Sequence, residues 1–208
     1  MVVKDCGNHG NPRKKLYWRI FYVSAAFVAA VLFSILLVWL ILRPKKPHFV
    51  LQDATVYAFS LTAPNLLTAT VQITLSARNP NGRIGVYYDK LDVYAAYRSQ
   101  QITLATRLPA SYQGHEDITV WSPFVYGTAV PVAPYLAASL GEDEGTGTVL
   151  INVRVDGRVR WKVGTFVSRN YHLFANCPAY INFGNKNSGI AVGSPIKYQL
   201  LMDCHVDV

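Results

Sequence analysis

Five histidines and two acidic clusters are the residues of this chain best suited to acid, base or metal chemistry, and their spacing argues against all three. His9, His48, His115, His172 and His205 are scattered, with no pair at the helical or strand spacing that lets two imidazoles share one metal. His115-Glu116-Asp117 gathers three titratable groups, but neighbours on a strand point to opposite faces, so the trio reads as a solvated loop or strand edge. Glu142-Asp143-Glu144, set between Gly141 and Gly145, has the oxygen-rich composition of a calcium site and reads more simply as a solvated acidic turn. Gly141, Gly145 and Gly147 lack the Lys-Ser/Thr ending and the following helix of a phosphate loop, and no serine sits in a nucleophile elbow. The domain is therefore read as non-enzymatic, with no catalytic residue, no metal ligand and no cofactor.

One pattern does present chemistry. Between Thr146 and Val163, residues Val149, Ile151, Val153, Val155, Val159, Trp161 and Val163 share one parity, while Arg154, Asp156, Arg158, Arg160 and Lys162 share the other. A side-chain period of two makes this a strand with an apolar core face and a basic outer face. Arg154, Arg158, Arg160 and Lys162 could engage anionic headgroups or acidic cell-wall polymers through several contacts at once. The plainer reading is an exposed strand that charge keeps soluble, as is common at sheet edges. Asp156-Gly157 within it signals a bend, a bulge or a hairpin.

The elements that must position these residues are mostly strands. Alternating segments run from Val50 to Leu61, Ala69 to Asn79, Ile84 to Arg98, Gln101 to Leu108, Glu116 to Trp121, Ser168 to Cys177 and Pro195 to Val206. Asn79-Pro80-Asn81-Gly82 is a turn signal, since Pro fixes φ and Asn-Gly accepts positive φ. Pro123, Pro131 and Pro134 punctuate an irregular stretch before one short helix at Tyr135 to Leu140. Seven or eight short strands with almost no helix predict an all-β fold, a sandwich or a partly open barrel. Tyrosines at 87, 88, 94 and 97 suit half-buried sheet faces; a groove lined by them could instead hold a lipid chain.

Upstream of the strands, 23 consecutive residues from Ile20 to Leu42 carry no formal charge. As a helix they reach about 35 Å, enough to cross a hydrocarbon core of about 30 Å. Of the net charge of +8, residues 1–46 hold +7 and the remaining 162 residues only +1. The excess therefore belongs to the flanks of the span, Arg13, Lys14, Lys15 and Arg19 before it and Arg43, Lys45 and Lys46 after it, where cations meet lipid headgroups. No domain-wide basic surface remains for phosphates, which excludes nucleic acid as a partner. The heavier amino-terminal count predicts a cytoplasmic amino terminus and an uncleaved signal anchor, since the apolar run exceeds a signal peptide's and no small-x-small cleavage site follows it. The expected order is a basic head (1–19), a transmembrane span (20–42), a stiff Pro-flanked neck (43–47) and one β domain (48–208). Ala25-x-x-x-Ala29 and Ala26-x-x-x-Ala30 place small residues at helix-packing spacing, which permits homo-oligomers. With the domain outside the cytoplasm, Cys177 and Cys204 would form a disulfide; the alternative is two buried thiols, and Cys6 on the other side stays reduced. No Asn-x-Ser/Thr sequon occurs.

Together, the basic head, the span, Arg43-Pro-Lys-Lys-Pro47 with Phe49, Asn79-Pro-Asn81, Gly85-Val-Tyr-Tyr-Asp89, Val93-Tyr94, Gly157-Arg-Val-Arg-Trp-Lys-Val-Gly164 and Cys204-His-Val206 resemble the plant NDR/HIN-like (NHL) proteins, which carry a late embryogenesis abundant group 2 (LEA-2) domain. The resemblance implies a fibronectin-like β-sandwich at the plasma membrane, in some members at plasmodesmata, associated with defence, the hypersensitive response and abiotic stress and with no enzymatic activity. The partners it implies are membrane lipids and a protein or the cell wall. A lipid-binding or lipid-handling domain beside the membrane is the alternative; a long apolar groove near the neck would favour it.

Overall fold

The structure, a computed structural model, describes residues 12–41, 44–62, 64–182 and 196–208, with only the backbone course given for residues 12–15 and 38–41. Cys6 and Arg43 lie outside the described residues, as do the side chains of Arg13, Lys14 and Lys15. The chain divides into two compact units at Arg43/Pro44.

The first unit is a single helix, α1 (Pro12–Ile41). It begins inside the basic head, with Pro at the first helical position, where a missing N–H costs nothing. Leu16–Leu37 is long and apolar enough to cross a membrane, and its side chains are exposed all round. A helix apolar on every side has no water-facing stripe, and a lipid environment satisfies it.

The second unit is a sandwich of two antiparallel sheets. Its elements in chain order are β1 (His48–Thr62), β2 (Leu66–Arg78), β3 (Gly85–Tyr97), β4 (Gln100–Gln101), β5 (Thr106–Leu108), β6 (Ser111–Gln113), β7 (Ile118–Trp121), β8 (Phe124–Pro131), α2 (Pro134–Thr146), β9 (Thr148–Val163), β10 (Phe166–Val167), β11 (Tyr171–Asn182), β12 (Ile196–Asp203) and β13 (His205–Asp207). One sheet has the order β12-β1-β2-β7, with β8 also on β2. The other has the order β13-β11-β9-β3-β4, with β5 and β6 on β3 and β10 on β9. Inward parities of both sheets meet in one core, with Leu51, Ile73 and Leu75 from the first and Val93, Val155 and Leu173 from the second all fully buried. At the neck end Phe49, Tyr88 and Trp121 fill the space between the sheets, Tyr88 meeting Trp121 edge-on at 5.4 Å. That packing occupies the space a long intersheet groove beside the neck would need.

Several expectations change, among them the strand from Gln101 to Leu108, which is split into β4 and β5. The Pro-punctuated stretch contains a strand, β8, because Pro123 precedes it and Pro131 is its last residue, opposite Leu66, which leaves Val125 and Gly127 free to face β2. The short helix extends to Thr146, so Glu142, Asp143 and Glu144 lie on α2 and not in a turn; Leu136, Ala137 and Leu140 seat it in the core, and Gly147 closes it at φ 88°. Neither Asn81 nor Gly82 takes a positive φ. The last strand breaks at Cys204, sending β12 to one sheet and β13 to the other.

β9 runs unbroken through Asp156-Gly157. The irregularity lies opposite, on β3, where Asp89 is the extra residue between Tyr88, which faces Val159, and Lys90, which faces Arg158. A Cβ on Gly157 would strike the Lys90 carbonyl oxygen and stand 2.6 Å from Leu91 Cδ2, so only glycine lets the bulged strand this close. Gly157→Ala should therefore destabilise the domain by about 3 kcal/mol or more. Gly141→Ala, on α2 with nothing within 4 Å of the added carbon, should be neutral or stabilising by up to about 1 kcal/mol. Urea denaturation of both variants checks the contrast, and equal behaviour would remove the close-approach argument.

Candidate interaction surfaces

The bulge at Asp89 determines what the outer face of the β3-β9-β11 sheet displays. It lets Asp89 and Lys90 both lie off the core before Leu91 returns to it. Asp89 then receives the Arg160 guanidinium in a two-pronged contact, Nε to Oδ2 and Nη2 to Oδ1, each at 2.6 Å. This pairing raises the Arg160 pKa, so the group stays charged. Arg160 also lies over the Tyr87 ring, and Lys162 Nζ sits 5.1 Å from the Tyr112 ring, whose centroid is 4.6 Å from that of Tyr87.

The four basic residues of β9 therefore do not act alike. Arg160 is neutralised by Asp89, and Lys162 is held by aromatic faces. Arg154 reaches the Arg98 carbonyl with Nη2 at 3.4 Å, while its buried Nε finds no partner among the described residues. Arg158 is exposed and has no hydrogen bond or ion pair among the described residues. Nor is β9 an edge: it lies between β11 and β3, so its charges cannot serve to blunt an unpaired edge. Register adds two residues that sequence reading missed, because Lys90 on β3 and His172 on β11 both stand directly opposite Arg158. The adjacent row carries Asp92, Asp156, Phe174 and Asp207. Ion pairs link the rows, Lys90 to Asp92 along β3 at 3.1 Å and His172 diagonally to Asp156 at 2.9 Å, and Arg107 reaches Asp92 at 3.1 Å. Alternating charge rows recur only when three strands are laid side by side, so no single segment shows them.

The outer face of the other sheet is different in kind. Tyr57, Phe124 and Tyr126 expose their rings, with Tyr57 and Phe124 5.5 Å apart, and Val120 continues the row on β7. Between them lie Gln72, which accepts a hydrogen bond from the Tyr57 hydroxyl, and Thr74 beside Ser122.

At the neck end two asparagines form a buried polar clamp. Asn81 Oδ1 accepts the Lys45 N–H and Asn81 Nδ2 donates to the Lys45 carbonyl, both at 2.8 Å. Asn79 Oδ1 accepts from the Asn81 backbone and side chain, and its Nδ2 donates to the carbonyls of Ile84 and Gly114, both at 2.7 Å. Gln113 extends the network, accepting from Tyr88 and donating to Ala77 and Asp117. Burial pushes the Tyr88 hydroxyl pKa well up, so it donates at any ordinary pH. Lys46 Nζ ties the neck to β13 through the Val206 carbonyl and Asp207, whose carboxyl this contact holds below its usual range.

Cys177 on β11 is joined to Cys204 at the break between β12 and β13. The Cys204 N–H also bonds to the Phe49 carbonyl on β1, so one residue ties both sheets. Among the described residues, which leave out His9, the histidines form no joint site: His48 faces Asp203, His172 faces Asp156 and His205 faces Asp207, all on exposed surface. His115 and Glu116 sit in an exposed loop, and among the described residues no three His, Cys, Asp or Glu side chains gather as metal ligands. On α2, Asp143 accepts the Tyr97 hydroxyl at 2.6 Å; burial first and then this contact push Tyr97 up to about 12. Burial likewise raises Glu144.

Residues 74–177, which make up much of the sandwich, match the family model described as "Late embryogenesis abundant protein" (LEA_2). The chain belongs to this LEA-2 family, and within it to the NDR1/HIN1-like proteins. NDR1/HIN1-like protein 1 of Arabidopsis thaliana is 59% identical, with 99% of this chain and 100% of that protein covered. NDR1/HIN1-like protein 12 of the same plant is 54% identical with both chains covered in full, and NDR1/HIN1-like protein 26 is 44% identical over 87% of this chain and 86% of its own. The solution structure of a putative late embryogenesis abundant (LEA) protein aligns over 88% of this chain and 90% of that one at 13% identity, with a TM-score of 0.29.

The charge rows carry a pH signature. Burial raises the Asp92 carboxyl, but hydrogen bonds and charge from Arg107 and Lys90 outweigh it and hold the pKa below its ordinary value. A depressed carboxylate adds stability that is fully present above the unfolded pKa of about 4 and is lost as pH falls through the lower folded value. Asp92→Asn should therefore be less stable than the parent at neutral pH, and the gap should close below about pH 4. Urea midpoints across that range check it, and a gap independent of pH would mean the ion pairs contribute nothing.

Proposed function

We propose that this chain is a non-enzymatic, single-pass plasma membrane protein whose amino terminus is cytoplasmic and whose sandwich stands outside the cell as an interaction module. NDR1/HIN1-like and LEA-2 membership supports a role in plant stress and defence, and α1 fits a membrane anchor. Residence at plasmodesmata and a part in the hypersensitive response belong to the same reading. The bridge between Cys177 and Cys204 supports an oxidising location for the domain.

The observation that carries the binding role is the basic row Lys90, Arg158 and His172, with Arg158 uncompensated at its centre. A polymer bearing regularly spaced carboxylates, such as an acidic cell-wall polysaccharide, complements such a row, because several weak contacts add along one chain. A protein partner is the second reading, favoured by the exposed rings of Tyr57, Phe124 and Tyr126, since aromatic residues are enriched in interfaces. Lipid handling loses support from the filled neck end, where Phe49, Tyr88 and Trp121 pack together.

Full-length protein in nanodiscs should bind immobilised polygalacturonate in a salt-sensitive manner. Lys90→Glu with Arg158→Glu should weaken that binding about fivefold or more. Unchanged binding by the double variant would remove the wall reading from this face. Orientation is tested separately: on sealed vesicles with both termini tagged, external protease should digest the carboxy-terminal tag of cell-oriented vesicles and spare the amino-terminal one. The reverse pattern would overturn the topology.

A further inference from the structure

We propose that a shallow cavity beside the neck binds the phosphate of an anionic phospholipid headgroup, giving the sandwich its own hold on the bilayer. The cavity, about 480 Å³, is lined by Lys45, Lys46, His48, Arg78, Pro80 and Glu116. Three permanent cations and a histidine thus face one carboxylate, an arrangement complementary to a phosphate carrying negative charge. Its members differ in how far they are already engaged. Lys46 Nζ is held by the Val206 carbonyl and Asp207, and His48 Nε2 lies 3.2 Å from Asp203. The side chains of Lys45 and Arg78 have no hydrogen bond or ion pair among the described residues.

The site is also built rather than incidental. Asn81 holds both backbone groups of Lys45, which fixes the root of that side chain, and strand register sets His48 directly opposite Arg78. Free phosphate offers the same chemistry, but tether length selects the lipid. Between Ile41, the last residue of α1, and Lys45, held by Asn81, the chain makes four steps, which span at most about 14 Å. With α1 in a bilayer, which this inference takes from the reading above, a tether so short keeps headgroups at high local concentration around the cavity.

The test uses the full-length protein in nanodiscs of phosphatidylcholine alone or mixed with phosphatidic acid, each doped with a photo-crosslinkable form of one lipid. Phosphatidic acid should crosslink to the cavity residues in preference to phosphatidylcholine. Lys45→Glu with Arg78→Glu should lower that yield about tenfold or more. The milder pair Lys45→Gln and Arg78→Gln, with an unchanged melting temperature and an intact disulfide, guards against misfolding and should lower the yield less. Equal crosslinking to both lipids, or an undiminished yield in the Glu variant, overturns the proposal. Complete displacement by millimolar inorganic phosphate also overturns it, in favour of a free-anion site. Recovery of the chain in the nanodisc fraction is scored independently, so failure of α1 to insert is distinguishable from failure of the cavity to bind.

Discussion

A buried side-chain amide must place two donors and an oxygen acceptor, and much of this domain's neck end follows from satisfying two of them. Asn79 is fully buried and Asn81 nearly so, and an unpaired polar atom in either position would cost about 1–3 kcal/mol. Their partners come from four separate places: the neck at Lys45, Ile84 just before β3, the loop at Gly114 and each other. Backbone contacts reinforce the arrangement, with Asn79 N–H bonded to Asp117 O and Glu116 N–H to Asn81 O. The loop carrying His115, Glu116 and Asp117 is thus positioned as a by-product of the clamp, which accounts for a cluster of titratable residues with no joint chemistry. Gln113 links the clamp to Tyr88 and hence to the aromatic packing between the sheets.

A second constraint acts through strand parity. Without the extra residue at Asp89, every later side chain of β3 would change face, and Leu91 and Val93 would leave the core. The bulge absorbs one residue, Gly157 makes room for the bent strand, and Asp89 gains access to Arg160. One backbone irregularity therefore settles both the fit of the core and the charge pattern outside it. The Tyr87-Tyr88-Asp89 segment divides its work accordingly: Tyr87 supports the cations of β9, Tyr88 fills the core, and Asp89 pairs with Arg160.

The parts of the fold legible in sequence are those governed by short-range periodicity. The alternation of β9 marked its core face residue by residue, and the uncharged run marked the apolar helix, because both patterns repeat within a few residues. The pattern stops at Leu140 because the second half of α2, Gly141 to Thr146, is polar and glycine-containing; the helix's full length depends on Leu140 packing into the core and Asp143 meeting Tyr97. β8 was hidden by prolines that sit at its ends. The charge rows were invisible for a different reason, since they depend on which strands are neighbours. Arg158 looked like one of four equivalent cations until the placement of Asp89, Tyr87 and Tyr112 separated it from Arg160 and Lys162. The asparagines were legible as a turn, but their side-chain roles depend on the neck lying across them.

The arrangement at the neck also has a mechanical consequence. A pull on the chain at Pro44 enters the domain along β1, which is flanked on both sides by antiparallel partners, β2 and β12. Load along a strand shears many ladder hydrogen bonds together, whereas load across a strand end would open them one at a time. Before β1 can slide, the two Asn81 bonds to Lys45 and the Lys46 contacts to β13 must also yield. Cys204 sets a further stop, since its N–H holds the Phe49 carbonyl while its sulfur is bonded to Cys177 in the opposite sheet. Both sheets thus share a force that arrives through one strand. The noncovalent restraints and the covalent one lie at the same end of the sandwich, next to the point where the tether enters.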